Sequence, residues 1–357
     1  MLKLLFSMRQ SVSFFNIFQY ITFRAAYAAI TALLISFLFG PTIIARLRAM
    51  KAGWTAREDT PQTHQAKAGT PTMGGVLIIL AVGVSTLLWE DPTSVYTWLL
   101  LFAALGFGAI GFADDYLKMS PRKRGISAGV KFGGQVAIST VIVTVLYLTR
   151  SDTTTLLYIP FLKHAVIDLS WGYIPFAVIL MVGYSNAVNL TDGLDGLAIG
   201  LVIMVALALT VLGYLTGRVD YAEYLQIPFV KGGSEIAVFC LAVIGASVGF
   251  LWFNAHPADV WMGDTGSLSL GGVLGVVAII LKKEILILIL GGVFVLETLS
   301  VVIQVLSFKL RGKRVFKMAP LHHHFELSGW QESKVVTRLW ILGGLFAILG
   351  LSTLKIQ

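Results

Sequence analysis

Ten stretches of this chain are apolar for long enough to cross the ~30 Å hydrocarbon layer of a bilayer, which takes roughly 17–25 helical residues. They are Ala25–Ile44, Met73–Trp89, Tyr96–Ala113, Phe132–Leu148, Trp171–Val188, Leu197–Leu215, Ile236–Phe253, Gly266–Leu281, Ile285–Phe308 and Val335–Leu354. In lipid each backbone N–H must find a partner inside the protein, so the economical reading is an all-α polytopic membrane protein of about ten helices. Charge supports it. Only 13% of the 357 residues are Asp, Glu, Lys or Arg, about half the share a wetted globule carries. A soluble enzyme, a disordered chain and a nucleic-acid-binding domain are excluded. The single Cys240 leaves no disulfide framework and no cysteine zinc cluster. With no internal repeat, residues 1–357 read as a single membrane domain.

The cationic residues orient the spans. The loops after spans 1, 3, 5, 7 and 9, with the span ends that border them, hold 17 of the 27 Lys and Arg. Basic residues stay on the cytoplasmic side, so these loops are expected to be cytoplasmic and both termini periplasmic. Ala26-Tyr-Ala28 precedes most of the first apolar run rather than following it, which suits an uncleaved anchor better than a signal peptide. The even loops are short except 149–170 and 216–235, whose mixed apolar, Pro and Gly content suits a small hairpin or an interfacial helix.

Polar residues with chemical potential collect in the odd loops. Asp114-Asp115 closes span 3, where a helix C-terminus already disfavours negative charge; a cation would reverse that balance, and Mg²⁺ is commonly held by one or two carboxylates plus substrate phosphates. Two solvated acids at the interface are the plainer reading. Lys118, Arg122, Lys123, Arg124 and Lys131 follow, as a membrane anchor or as phosphate contacts. After span 5, Asn189, Asp192 and Asp195 recur every third residue, with Gly193 and Gly196 each following an aspartate. A capping turn accounts for part of this; three acceptors in a loop without Lys or Arg point to a ligand.

After span 7, Asn254, His256, Asp259, Trp261 and Asp264 precede span 8. Asp264 is suited to cap that span or to hold a metal, and Trp261 to stack on a flat ring or sit at the interface. His322-His323-His324-Phe-Glu326 lies in the most basic loop. No second His or Cys set completes a zinc site, so phosphate contact or a structural cluster remains. Lys67 stands before Gly69-Thr-Pro-Thr-Met-Gly-Gly75, a helix start whose amides are expected to point at an anion. Glu297 is the odd acid inside span 9, a functional candidate by its depth or a partner within the bundle. Together these groups suit phosphoryl transfer between a soluble nucleotide donor and a membrane-held acceptor. The absence of a Walker-type loop argues against an ATPase.

Pro71-Thr-Met-Gly-Gly75, Asp114-Asp115-Tyr116, the run Asn186–Ala198, Phe250–Asn254, Met262-Gly-Asp264 and Ala319–Glu326 together resemble the phospho-N-acetylmuramoyl-pentapeptide transferases. These belong to the wider polyprenyl-phosphate N-acetylhexosamine-1-phosphate transferases. The likeness runs along the whole chain, and the His triplet followed by Glu favours the muramoyl-pentapeptide branch. It implies transfer of phospho-MurNAc-pentapeptide from UDP-MurNAc-pentapeptide to undecaprenyl phosphate, giving lipid I and UMP. It also implies Mg²⁺, a cytoplasmic cleft, a bacterial inner-membrane location and a homodimer. By family position Asp264 and Asp115 hold the metal, and Asp114, Asp115, Asp264 and His323 form the catalytic set. Lys67, Asn189, Asp192, Asp195, Asn254 and Trp261 line the nucleotide pocket; Lys118, Lys131, His322 and His324 face phosphates or sugar. A sister transferase using UDP-N-acetylglucosamine is the near alternative. A transporter would place its polar groups near mid-membrane in paired halves, which this sequence does not.

Overall fold

The computed structural model describes all residues except 11, 51–68, 120–124, 150–153, 163–165 and 355–357. Two 3₁₀ stretches, Leu2–Met8 and Ser13–Gln19, lead into α1 (Ile21–Ala49). Then come α2 (Gly75–Trp89), α3 (Val95–Lys118), α4 (Ala128–Leu148), α5 (Tyr173–Thr191) and α6 (Leu197–Thr216). The short α7 (Val219–Leu225), α8 (Gly233–Asn254), α9 (Gly263–Ile280), α10 (Leu286–Leu290), α11 (Gly292–Arg311), α12 (Leu321–Glu326) and α13 (Glu332–Ser352) complete the chain. Nine described helices are long and apolar enough to cross a membrane. The chain is a multi-pass membrane protein, with helices where the apolar runs predict them.

Both long even loops carry the expected small elements. Strands β1 (Leu156–Tyr158) and β2 (Val166–Asp168) pair antiparallel with Leu157 opposite Ile167, and α7 occupies the second loop.

Two spans depart from expectation. The second begins at Gly75 rather than Met73 and has 15 residues, about 22 Å at 1.5 Å per residue. Met73 has φ +72°, outside the helical region. The ninth is not one helix. It breaks at Gly291 into α10 and α11, and at the break the Tyr184 hydroxyl from α5 occupies the space a Cβ would need, so only Gly fits there.

Helix α9 is the axle. Every residue from Thr265 to Ile280 is buried, and α3 and α5 flank it along its length. Small residues permit that approach: a Cβ on Gly111 of α3 would strike the Asp264 carbonyl, and Gly75 of α2 lies against Gly266. Helices α1, α11 and α13 lie outside and expose Leu, Ile and Val, as at Leu34, Leu38, Ile303, Leu306 and Ile348, the surface a lipid solvent would wet.

Polar groups divide between the two ends of the bundle. At one end buried Arg24 makes a two-pronged pair with Glu235 at 2.6 and 2.7 Å, and Lys3 bridges Glu235 and Asp91 at 3.0 and 2.5 Å. Also at this end Lys282 donates to Glu284 at 2.5 Å, to the Tyr173 hydroxyl at 3.0 Å and to the Thr154 carbonyl at 2.9 Å, pinning the approach to the hairpin. The other end holds the candidate site.

Candidate active site

Three helix ends meet where α3 stops, α9 starts and α4 starts. The Asp264 side chain is the hub: Oδ2 accepts from Lys131 Nζ at 2.6 Å and Lys118 Nζ at 3.0 Å, and Oδ1 accepts from Asn189 Nδ2 at 2.9 Å. The Asn189 amide also reaches Ser267 Oγ at 2.8 Å. Asp114 lies across the same lysines, 3.0 Å from Lys118 and 3.3 Å from Lys131, while its Oδ1 accepts the Ile126 N–H at 2.7 Å. Two carboxylates and two ammonium groups thus form a hydrogen-bonded quartet that runs from buried Asp114 through half-buried Asp264 and Lys131 to exposed Lys118, the pairing that lets the inner charge survive burial.

Asp115 turns the other way. It accepts the Asp264 and Thr265 backbone N–H groups at 3.2 and 2.9 Å and the Thr265 hydroxyl at 2.7 Å. It therefore caps the N-terminus of α9 from a neighbouring helix, neutralising donors that have no partner within their own helix. The expectation that Asp264 caps its own span is corrected: Asp264 lies within the first turn, and its side chain is turned to the lysines. Gly263 makes the junction possible. Its φ is +71°, and a Cβ would press on Asp115 Oδ2 and Thr72 Oγ1, each at 2.7 Å.

The Gly74–Gly75 amides do not face an anion as the sequence suggests. Gly74 N donates to the Trp261 carbonyl at 2.8 Å and Gly75 N to that of Met262 at 2.9 Å, with Trp261 N returning a bond to Pro71 at 2.8 Å. The Pro71–Gly75 run is a brace that holds the Asp264 loop. Lys67 lies outside the described residues.

Beside the quartet, Asn189, Asp192 and Asp195 come from the end of α5 and the turn to α6. Burial pushes the Asp192 carboxyl up to about 8, with the charges of Asp264, Asp115 and Asp195 adding to the shift; it holds a proton at neutral pH. Asp195 is a strut. Its Oδ1 accepts the Trp261 indole N–H at 3.0 Å, and its Oδ2 meets the Ala258 N–H at 3.2 Å and His256 Nδ1 at 3.0 Å. Buried Asn254 is a second strut, donating to the Val260 carbonyl at 2.9 Å and accepting from Gly196 N at 3.1 Å. Trp261 is thus held by its nitrogen, half-buried, at the rim of this loop cluster.

The histidines divide. His322 is fully buried, with Nδ1 3.3 Å from Glu297 Oε2, so it does not open onto the cleft. His323 Nδ1 lies 2.9 Å from Glu326, and His324 Nδ1 accepts the Lys317 N–H at 3.1 Å.

Sequence reasoning gave His256 no role and passed over Glu332. With Asp195 they bring three possible metal-ligand atoms within 4.8 Å of one another, and Glu332 also accepts the Asp195 N–H at 3.0 Å. Glu332 carries no local signal, because its partners Asp195 and His256 are 137 and 76 residues away in the chain. Asp115, Asp192, Asp264 and His322, distant in sequence, share one end of the bundle, and the carboxylate oxygens of Asp264 and Asp115 are of the kind a hard divalent cation takes.

Comparison with known proteins places the chain among named relatives. Residues 97–282 match Glycosyl transferase family 4, and residues 67–79 match the phospho-N-acetylmuramoyl-pentapeptide-transferase signature 1. A phospho-N-acetylmuramoyl-pentapeptide-transferase of Syntrophus aciditrophicus is 54% identical over 356 residues, covering 99% of each chain. Proteins of the same name from Desulforapulum autotrophicum and Desulfatibacillum aliphaticivorans are each 53% identical, over 355 and 358 residues, again at 99% of each chain.

Proposed function

The chain belongs to the phospho-N-acetylmuramoyl-pentapeptide-transferase family and is a membrane phospho-sugar transferase; from that premise we propose that the Asp264 quartet is where its two phosphorylated substrates meet. The donor is UDP-MurNAc-pentapeptide, the acceptor undecaprenyl phosphate, and the products lipid I and UMP. The convergence of Asp114, Lys118, Lys131, Asn189 and Asp264 at one end of the bundle carries this reading. That end is the cytoplasmic one by its charge, in a bacterial inner membrane, and two chains form a dimer.

The chemistry follows from charge. A phosphate monoester has a second pKa near 6, so the lipid phosphate is mostly a dianion at neutral pH and is already a nucleophile. The difficulty is bringing it against a diphosphate, which calls for charge neutralisation and in-line placement. Lys118 and Lys131 supply two ammonium groups on one side of the quartet. The carboxylates of Asp264 and Asp115 would hold Mg²⁺, with Asp264 exchanging its lysine contacts for the ion; the chemistry it would supply is charge screening of the phosphates and of the UMP leaving group. Asn189 fixes the Asp264 side chain. Asp192, whose carboxyl burial pushes up, lies on the nucleotide side, and Trp261, steadied by Asp195, offers a flat face for the base. His323 and His324 border the sugar phosphate.

Direct attack by the lipid phosphate is favoured over an aspartyl-phosphate. Asp114 is tied to two lysines and a backbone N–H, and Asp115 to the start of α9, so neither is poised to attack. Exchange of labelled UMP into UDP-MurNAc-pentapeptide by purified protein with lipid phosphate and Mg²⁺ tests the reaction. UDP-N-acetylglucosamine in its place gives no product. A phosphorylated protein trapped by rapid quench without lipid would overturn the direct mechanism.

A further inference from the structure

Glu297 has no part in the reaction as described, yet it is a carboxylate at membrane depth, fully buried on α11. Such a group is costly to keep there unless hydrogen bonds repay its desolvation. Its Oε2 faces two nitrogens of one residue, the His322 ring Nδ1 at 3.3 Å and the His322 backbone N–H, which donates to it at 3.4 Å. Both contacts are long, as befits one oxygen divided between two partners. The arrangement fixes the start of α12 and the rotation of the imidazole together.

Oε2 already accepts the His322 backbone N–H, so the ring contact to the same acceptor oxygen is made with the proton on Nδ1. The ring is then turned so that Nε2 faces the opposite way, onto Gly193, where a Cβ would collide with it. Nε2 has no hydrogen-bond partner among the described residues. Gly193 lies between Asp192 and Asp195, so the ring is a spacer between α12 and the turn that borders the quartet. The His323 ring lies 4.2 Å from that of His322, with its own Nδ1 on Glu326. Fixing His322 therefore fixes where the next imidazole stands.

We propose that Glu297 is a positioning residue for the transfer: it locks His322 with its proton on Nδ1 and thereby sets the distance between the histidine helix and the Asp192–Gly193 turn. The inference rests on the transferase reading of the site. It differs from plain bundle pairing, which would need neither a chosen ring nitrogen nor an effect on turnover.

The test uses the full chain, labelled with ¹⁵N-histidine, in lipid nanodiscs. Two-bond ¹H–¹⁵N correlation reports which ring nitrogen carries the proton, and His322→Gln identifies the signal. The expected result is a protonated Nδ1 on His322 in the wild type, lost or mixed in Glu297→Gln, whose amide can also donate. Turnover of Glu297→Gln falls about 10–100-fold, the scale of an ångström-level misplacement, while KM for the nucleotide-sugar changes less than about threefold and Glu297→Asp recovers part of the loss. Should Glu297→Gln fail to fold, the wild-type spectrum and the partial activity of Glu297→Asp still decide. Wild-type His322 with a bare Nδ1, or variants turning over at the wild-type rate, would overturn the proposal. A wild-type protein that does not perform the transfer would instead sink the reading of function, whatever the spectrum shows.

Discussion

Asp264 shares one oxygen between two ammonium groups, so replacing either lysine leaves the other to hold both carboxylates. Lys131 makes the shorter contact, 2.6 Å against 3.0 Å, and is the more buried of the two. Lys131→Met is expected to lower kcat by about 100–1,000-fold, the cost of losing one preorganised stabilising group, with folding intact by thermal melting. Asp264→Asn removes the charge that orders both lysines and is expected to abolish measurable exchange. Asp192 gives a prediction of a different kind. Its carboxyl is pushed up to about 8, against an ordinary ~3.9 in the unfolded chain. Between these values the folded protein binds the extra proton, so stability falls as pH rises through that window and is level above it. Asp192→Asn mimics the protonated form and removes the slope. With chelator present, its melting temperature should exceed the wild type's by a margin that grows from pH 4.5 to 8 and then stays constant. Equal slopes in the two proteins would show that Asp192 is ionised throughout.

At the scale of elements, length and hydropathy made the ten spans readable, because a bilayer demands about twenty apolar residues whatever their neighbours. The hairpin at 156–168 and the helix at 219–225 were foreshadowed by loop length and composition. What the chain does not announce is tertiary. The glycine at the Gly291 break is required by a tyrosine arriving from α5, and the cap of α9 comes from Asp115, 149 residues earlier. Likewise Asn254 and Asp195 resemble ligand contacts in the sequence, while their polar atoms hold loops together in the fold. Gly111 shows how such a junction can be probed. A Cβ there meets the backbone of Asp264, which cannot rotate away, so α3 and α9 must separate. Gly111→Val is expected to cost about 1–3 kcal/mol, read as a lower melting temperature. Because the separation acts where Asp115 meets Asp264, it should also depress turnover more than an equal destabilisation introduced on the lipid-facing side of α13.

Across the whole molecule the chemistry is at one end and a buried charge lock at the other, so the two should separate experimentally. Arg24→Met leaves Glu235 with only Lys3 and is expected to cost about 3–5 kcal/mol, the scale of breaking a buried pair, without changing KM for either substrate. Orientation is the remaining question, and it rests on charge asymmetry alone. Arg218 and Lys313 are both exposed and lie at opposite ends, while the lone Cys240 is buried and is replaced by serine to give a silent background. An impermeant maleimide applied to spheroplasts, from which the outer membrane has been opened, should label Arg218→Cys at once and Lys313→Cys only after the inner membrane is permeabilised. The reverse order would place the Asp264 quartet on the outside, away from any cytosolic nucleotide donor. In that event the lysines would still pair with their carboxylates, but the proposed substrate could not reach them.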